Sequence, residues 1–226
     1  MAEVIPLFPL SHVLMPGMPL PLHIFEERYR ELLADLTAAP GQARFGVVVL
    51  RSGTEALSPH ADPNGAPDVE PIGTLAEILE VRTEEDGTSD LLSVGSRRFR
   101  IESLLVEGRP YLRAEVRYLD EGDGDLDAAQ VAHVRELMEY YDATLHGLAG
   151  RATGAELPTD ANQLSYQIGA RLPLPPEERQ ALLAEPTTDL RLARLVRLLR
   201  REIALLKCTR TIAVSPAVLR LGAGAN

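Results

Sequence analysis

The chain has 226 residues, of which 45% are hydrophobic and 25% are charged, so it can bury the core of one large domain or two small ones. Lys207 is its only lysine, which excludes the G-x-x-x-x-G-K-[ST] loop that binds nucleotide phosphates. Its 33 acidic and 23 basic residues give a net charge of -10, which disfavours general binding to nucleic-acid backbones.

The residues up to about Asp120 predict a β-rich part, because short β-branched or alternating runs are separated by Gly, Pro and Asp. Pro6 and Pro9 favour an edge strand in the first run, 4–10, since proline has no N–H to donate. Further strands are predicted over 18–24, 45–50, 73–81, 91–94, 99–106 and 111–119, with a bulge or bend at Gly95. Six or seven mostly antiparallel strands of this length are typical of a small barrel.

One helix is predicted to interrupt the strands. Over residues 26–36 an apolar stripe is formed by Tyr29, Leu32, Leu33 and Leu36, and charged residues occupy the other side. The segment 52–71 has no periodicity and is rich in Gly, Pro, Asp and Ser. It is therefore predicted to be a long mobile loop.

From about residue 121 onward, apolar residues recur every three or four positions, which predicts helices. The predicted helices cover 127–145, 160–172, 175–184 and 188–209, and Thr188 caps the last. Residues 221–226 are small and predicted to be frayed. The whole pattern predicts an α+β chain: a β-barrel-like domain over 1–120 with one inserted helix, then a helical bundle over 121–226 with a long last helix.

The single cysteine, Cys208, permits no internal disulfide. It ends a leucine-rich helical pattern, so we expect its thiol in the core or in an interface. The N-terminus is acidic and soon broken by proline, without a leader pattern, and no run approaches the roughly 18 apolar residues of a membrane span. We therefore predict a cytoplasmic protein that does not enter the membrane.

No spacing of ligand or nucleophile residues indicates catalysis. The five histidines show no H-E-x-x-H pattern, and the chain has no G-x-S-x-G elbow. The acidic run 120–127 resembles a calcium loop but lacks the glutamate that closes one, so we interpret it as a solvated linker. We predict no enzymatic activity, no metal and no cofactor.

A basic stripe lies along the last predicted helix, where arginines recur at spacings of three, three and four: Arg191, Arg194, Arg197 and Arg201. Residues 160–226 carry ten basic and six acidic side chains, whereas residues 1–159 carry thirteen and twenty-seven. The stripe is either solvated or paired with the acidic half, or it meets an acidic partner or a nucleic acid.

Several motifs resemble the N-terminal, substrate-binding domain of Lon proteases. They are PLFPL at 6–10, VLMPGM at 13–18, LPLHIFE at 20–26, FGVV at 45–48, GTLAEI at 73–78, RRFRI at 97–101, YLRAEV at 111–116, LPL at 172–174 and RQALL at 179–183. The resemblance covers about residues 4–206. Glu27 departs from the pattern, because many stand-alone relatives place proline there.

The resemblance implies a barrel of the pseudouridine-synthase-and-archaeosine-transglycosylase-like (PUA-like) type joined to a helical bundle, with a role in recognising polypeptides. It does not carry over proteolysis, because the chain has neither a Walker lysine nor a catalytic Ser-Lys pair. We predict a non-catalytic module that binds unfolded or partly folded polypeptides and acts, as an adaptor or a decoy, with a separate protease as a second partner. RNA binding is the alternative, since barrels of this type often bind RNA.

The polypeptide-binding surface is predicted to join the segment 14–25 to the exposed face of the first helix. Its candidate residues are Met15, Met18, His23, Glu27, Arg28 and Glu31. Methionine adapts its shape to varied partners, and extended edge segments suit strand addition by an unfolded chain. The alternative is that the apolar residues of this segment cap the barrel.

Overall fold

The computed structural model describes residues 2–38, 43–51, 67–149 and 156–209. The boundary between two compact units falls between Asp120 and Glu121. Within the described ranges, the first unit contains β1 (Glu3–Leu10), β2 (Pro19–Ile24), α1 (Glu27–Ala38), β3 (Arg44–Val49), β4 (Ile72–Thr83), β5 (Ser89–Leu105) and β6 (Arg113–Tyr118). Residues 52–66 of the predicted loop and the predicted frayed end lie outside the described residues.

Five strands of the first unit close into a ring in the order β1, β3, β4, β5 and β6, which returns to β1. Only the β1–β3 pair is parallel. The sixth strand, β2, pairs with residues 89–94 of β5, whereas β6 pairs with residues 99–105 of the same strand. With the helices described below, the predicted α+β architecture is confirmed.

The expectation that the first strand lies at an edge is wrong, because β1 pairs with β6 over residues 3–6 and with β3 over residues 7–10. Neither proline interrupts a ladder hydrogen bond. The nitrogen of each points to the side of β1 on which that half of the strand has no partner. The N–H of Leu7 donates to Leu112 O of the β6 side, so by alternation Pro6 faces the β3 side before β3 begins to pair. Pro9 faces the β6 side after that pairing has ended.

Two apolar cores flank the sheet. Inside the ring, all five ring strands contribute to one cluster that includes Ile5, Leu7, Val48, Leu75, Phe99, Ala114 and Val116. The other cluster lies on the opposite side of the strands, where α1 covers them with Tyr29, Leu32 and Leu33. Alternate side chains of a strand point to opposite faces, so the single strand β1 supplies Leu7 to the first core and Phe8 to the second.

Gly95 lies where β5 changes partners. The pairing of β4 with β5 shifts register there, since Thr74 pairs with Arg98 and Ala76 with Gly95, which leaves one extra residue in β5. This confirms the predicted bulge, although the strand runs continuously through it. A Cβ on Gly95 would lie 2.5 Å from the carbonyl oxygen of Met15, so only glycine allows the segment before β2 to approach this closely.

The second unit contains four helices in the described residues: α2 (Ala128–Ala149), α3 (Ala161–Arg171), α4 (Pro176–Ala184) and α5 (Thr188–Thr209). Asp160 caps α3 by accepting from the N–H of Gln163 at 2.8 Å. Cys208, expected in the core or an interface, is exposed in the described chain. None of the helices in the described ranges has both the length and the apolar character needed to cross a membrane.

The acidic run 120–127 is more than a solvated linker, because its backbone holds the start of α5. Gly122 O accepts a hydrogen bond from the N–H of Thr188 at 2.9 Å, and Asp123 O accepts one from Asp189 at 3.2 Å. The carboxylate of Asp189 accepts in turn from the N–H of Asp125. These bonds satisfy N–H groups of the first helical turn that have no partner within the helix.

Arg191, one of the four stripe arginines, is fully buried at 0% exposure instead of lying on a solvated face. Its guanidinium donates to Ser165 Oγ at 2.7 Å, to Asn162 Oδ1 at 2.5 Å and to Glu121 Oε2 at 3.3 Å. It also lies over the ring of Tyr166, 4.1 Å from the ring centroid, and the hydroxyl of Tyr166 donates to Glu121. One buried cation therefore joins α3, α5 and the segment before α2.

Two further stripe arginines pair inside the same unit. Arg194 Nε lies 2.5 Å from Glu185 Oε1, and Arg201 Nη2 lies 2.6 Å from Glu178 Oε2. Arg197 is exposed. The stripe is therefore mainly part of the internal structure of the helical unit, because its partners are carboxylates next to α4 and on it.

We predict that Gly95→Ala lowers the free energy of unfolding by about 1–3 kcal/mol, because its Cβ would overlap a backbone oxygen that cannot swing away. Gly147→Ala is the control: Gly147 lies in α2 with nothing within 4 Å of the added Cβ, so it should raise that free energy by roughly 0.5–1 kcal/mol. Urea denaturation measures both changes. Equal effects from the two substitutions would contradict the close approach at Gly95.

Arg191→Ala should lower the free energy of unfolding by about 3–5 kcal/mol, because it leaves a carboxylate and two other polar groups without their buried partner. Arg197 is an exposed residue further along α5. Arg197→Ala should change the free energy of unfolding by less than about 0.5 kcal/mol. Thermal and urea unfolding of both variants test the difference. A stable Arg191→Ala protein would show that the buried network contributes little.

Candidate functional site

The residues of β2, the first half of β5 and the second half of β4 form a three-stranded part of the sheet whose two faces differ. On one face, Leu20 and Leu91 are buried under α1. The opposite face, which we call the outer face, consists of Pro19, Pro21, His23, Phe25, Leu79, Glu80, Arg82, Asp90 and Leu92. Because the sheet and α1 support it from behind, the outer face presents its side chains on a rigid base.

Cross-strand pairing arranges the outer face in rows. Pro21 of β2 lies opposite Leu92 of β5, which makes an apolar pair. In the next row His23 lies opposite Asp90, and His23 Nδ1 is 2.8 Å from Asp90 Oδ1. The His23 ring also stacks on that of Phe25, with centroids 6.1 Å apart. The face therefore combines apolar surface with a polar, hydrogen-bonded row.

Three large apolar side chains of the outer face are exposed to solvent. Phe25 is 64% exposed, Leu79 61% and Leu92 37%. A single exposed leucine needs no explanation, but a group of large apolar residues on one rigid face is typical of an interaction surface. The arrangement can bind apolar side chains of another molecule by removing these residues from water.

The free edge of β2 is poorly suited to strand addition. In the described residues β2 pairs only with β5, and Met18 O accepts from the N–H of Gly95. By alternation, the backbone groups of Pro19, Pro21 and His23 point to the unpaired edge. Only His23 has an N–H there, so an added strand would find three acceptors and a single donor.

The two candidate methionines lie away from solvent. Met15 is buried at 2% exposure, because the segment that carries it is tied to β4 by the hydroxyl of Thr74, which donates to Leu14 O at 2.7 Å. Met18 is half-buried and packs against the core under α1. Met15 therefore has no surface to offer a partner unless this segment opens, and Met18 has only part of one.

The other three candidates belong to α1. This helix covers the face of the sheet opposite the outer face, so they lie on the other side of the sheet from His23. Glu27 is exposed. Arg28 is half-buried, and its guanidinium lies 4.6 Å from the centroid of the Tyr29 ring. Glu31 is exposed, and its Oε1 lies 3.3 Å from Nη1 of Arg109. The structure thus separates the six candidates into a buried Met15 and a half-buried Met18, His23 on the outer face, and three charged residues on α1.

A polar cluster beside Glu31 was not predicted from the sequence. Arg109 Nη1 lies 3.1 Å from Asp35 Oδ2, and the hydroxyl of Tyr111 donates to the same carboxylate at 2.5 Å. Burial, followed by the hydrogen bond to Asp35, raises the pKa of Tyr111 to about 12, so its hydroxyl stays a donor. Across the described ranges, no three His, Cys, Asp or Glu side chains are grouped so that they could hold a metal ion.

Sequence reasoning also missed the exposed apolar residues Phe25, Leu79 and Leu92. A signal existed for Leu92, because strict alternation in a strand places it on the face opposite its neighbour Leu91. Phe25 continues the alternation of β2 by one residue beyond the strand. For Leu79 no such signal existed, since the register of β4 shifts between Ile78 and Glu80.

Comparison with known proteins gives concordant results. The family model of the ATP-dependent protease La (LON) substrate-binding domain matches residues 4–201. Lon protease 2 of Myxococcus xanthus is 29% identical over 215 residues, which cover 93% of this chain and 25% of that protein. The chain thus spans about a quarter of the length of the curated relatives it matches.

Two solved structures share the fold. The Lon N-terminal domain protein from Xanthomonas campestris has a TM-score of 0.61 at 24% identity, covering 86% of this chain and 98% of that one. The N-terminal domain of the Mycobacterium avium complex Lon protease has a TM-score of 0.61 at 17% identity, covering 88% and 98%. Both the resemblance in the motifs and the predicted fold class are confirmed. The chain belongs to the family of Lon substrate-binding domains.

Proposed function

We propose that this chain binds unfolded or partly folded polypeptides through the outer face, without cleaving them. The observation that carries the proposal is the exposure of Phe25, Leu79 and Leu92 on one rigid face of a domain of the Lon substrate-binding family. Unfolded chains expose the apolar side chains that native proteins bury. Contact with the outer face removes apolar surface of both molecules from water, which favours binding to unfolded over native proteins.

Binding on this face uses side chains more than backbone pairing. Strand addition along β2 would need three backbone N–H donors, and two of them are missing because Pro19 and Pro21 have no N–H. The sheet behind Phe25 is fixed by the β2–β5 pairing, so its backbone needs no further ordering when a partner covers the exposed side chains. Side-chain contacts of this kind read apolar content with little dependence on the exact sequence.

The α1 residues Glu27, Arg28 and Glu31 stay predicted contacts, for polypeptide segments that reach around the sheet to the helix. Their charged groups form a surface separate from the outer face. His23 belongs to the outer face itself, where its ring extends the surface of Phe25. Met18 contributes only its exposed part.

We do not propose RNA binding, which the resemblance to RNA-binding barrels had suggested, because most of the stripe arginines that could meet a phosphate backbone are already paired. Arg191, Arg194 and Arg201 are paired with carboxylates of their own unit. A phosphate backbone would have to displace these carboxylates before it could pair with the arginines.

Phe25→Ser and Leu92→Ser should each weaken binding to an unfolded polypeptide about tenfold, since burial of one such side chain is worth about 1.5–3 kcal/mol when complete. The probe is a fluorescently labelled protein with reduced and carbamidomethylated cysteines, which cannot refold and gains no charge, and anisotropy measures its affinity. The same protein in its native form should bind much more weakly.

The matched control is Val106→Ser, because Val106 is another exposed apolar residue of the first unit, 44% exposed, beyond the other end of β5. It should leave the affinity unchanged. Glu31→Ala reports separately on the surface of α1. Equal binding of native and unfolded probes would contradict the preference for unfolded chains. If Val106→Ser weakens binding as much as Phe25→Ser, the outer face is not the binding site.

We further propose that the chain acts as an adaptor for a separate ATP-dependent protease. Addition of the chain should then accelerate degradation of the unfolded probe by a Lon protease from a related bacterium, and Phe25→Ser should abolish the acceleration. Release of fluorescent peptides over time measures the rate. A rate that is unchanged or lower in the presence of the chain would contradict the adaptor role while leaving polypeptide binding intact.

A further inference from the structure

Most of the excess negative charge of the first unit lies in the hairpin that carries part of the outer face. Residues 1–120 carry nineteen acidic and eleven basic side chains. Six of those acids and only one of the bases lie in the segment 77–94, which forms the second half of β4, the turn and the first part of β5. This segment therefore accounts for an excess of five negative charges, out of eight for the whole unit.

The acidic groups border the exposed apolar residues closely. Glu80 lies directly opposite Leu92 in the sheet, and Asp90 lies two residues before Leu92 in β5. The turn of the same hairpin adds three more carboxylates, on Glu84, Glu85 and Asp86, all exposed. The outer face is thus an apolar surface with an acidic rim.

The bases next to the rim do not cancel it. Nη2 of Arg82 lies 3.6 Å from Oε1 of Glu80, and both side chains are mostly exposed. The guanidinium of Arg30 lies against the turn, since a Cβ on Gly87 would come within 2.4 Å of its Nη2. Each of these two arginines offsets one charge, which leaves the excess of carboxylates in place.

We propose that the outer face selects polypeptide segments in which lysine or arginine residues flank apolar ones. This inference rests on the proposed function and names the class of segment that the same face binds. Apolar side chains of the segment cover Phe25 and Leu92, while flanking cations meet the carboxylates of Glu80 and the hairpin turn. Acidic segments of equal apolar content are repelled by the same rim.

Three labelled peptides test the inference. They share one apolar centre of phenylalanine and leucine, and carry three lysines, three glutamines or three glutamates on each side. We expect the lysine-flanked peptide to bind on the order of tenfold more tightly than the glutamine-flanked one at about 50 mM salt, and the glutamate-flanked peptide to bind least. At roughly 500 mM salt the three affinities should converge on that of the glutamine-flanked peptide, because the screening length falls to a few ångströms.

Charge reversal locates the effect. Glu80→Lys and Glu84→Lys should each weaken binding of the lysine-flanked peptide severalfold and leave that of the glutamine-flanked peptide within twofold. Glu107→Lys is the matched control, because it changes the net charge of the unit equally at an exposed acid outside the segment 77–94. It should alter neither affinity by more than about twofold.

The outcomes separate the inference from the proposed function. If the glutamine-flanked peptide binds and Phe25→Ser weakens it, but the lysine and glutamate flanks make no difference, the acidic rim does not select and only the inference fails. If none of the peptides binds, or if Phe25→Ser weakens none of them, the proposed function fails as well. If Glu107→Lys has the same effect as Glu80→Lys, the selection reflects net charge alone and the inference is overturned.

Discussion

The succession of partners along β5 is the constraint on which the first unit depends. This strand pairs with β2 over its first part and with β6 over its second part. On its other side it stays paired with β4 through the change of partner. The extra residue near Gly95 bends the strand at the change of partners, and the missing Cβ admits the segment that leads into β2. Closure of the ring and the attachment of β2 beside it follow from this one irregular position.

Closure leaves little unpaired backbone, so the surfaces available for recognition are made mainly of side chains. The unpaired edge of β2 carries Pro19 and Pro21, a common means of protecting an edge from aggregation. The proposed binding of unfolded chains gives this protection particular value, because such ligands are themselves prone to pair with exposed strands.

The second unit shows why an arginine-rich helix is not by itself a docking surface. Arg191 is held by Ser165, Asn162 and Glu121 and stacks on Tyr166, so a charge that would be costly to bury is fully partnered. The backbone of the acidic run 120–127 meets the N-terminus of the same helix. Three of the four stripe arginines are therefore paired within their own unit.

The sequence by itself determined the family, the α+β class, the helices from their apolar periodicity and the bulge at Gly95, because each depends on residues that are close along the chain. Tertiary structure alone decided that Pro6 and Pro9 lie in a strand paired on both sides, that Met15 is buried, and that the stripe arginines are paired. It also brought Phe25 and Leu92 onto one face. The first, second and last of these features depend on which strands pair and in what register, and the pairing of the arginines depends on which helices pack together. Both kinds of contact join residues far apart in the chain, which local patterns do not encode.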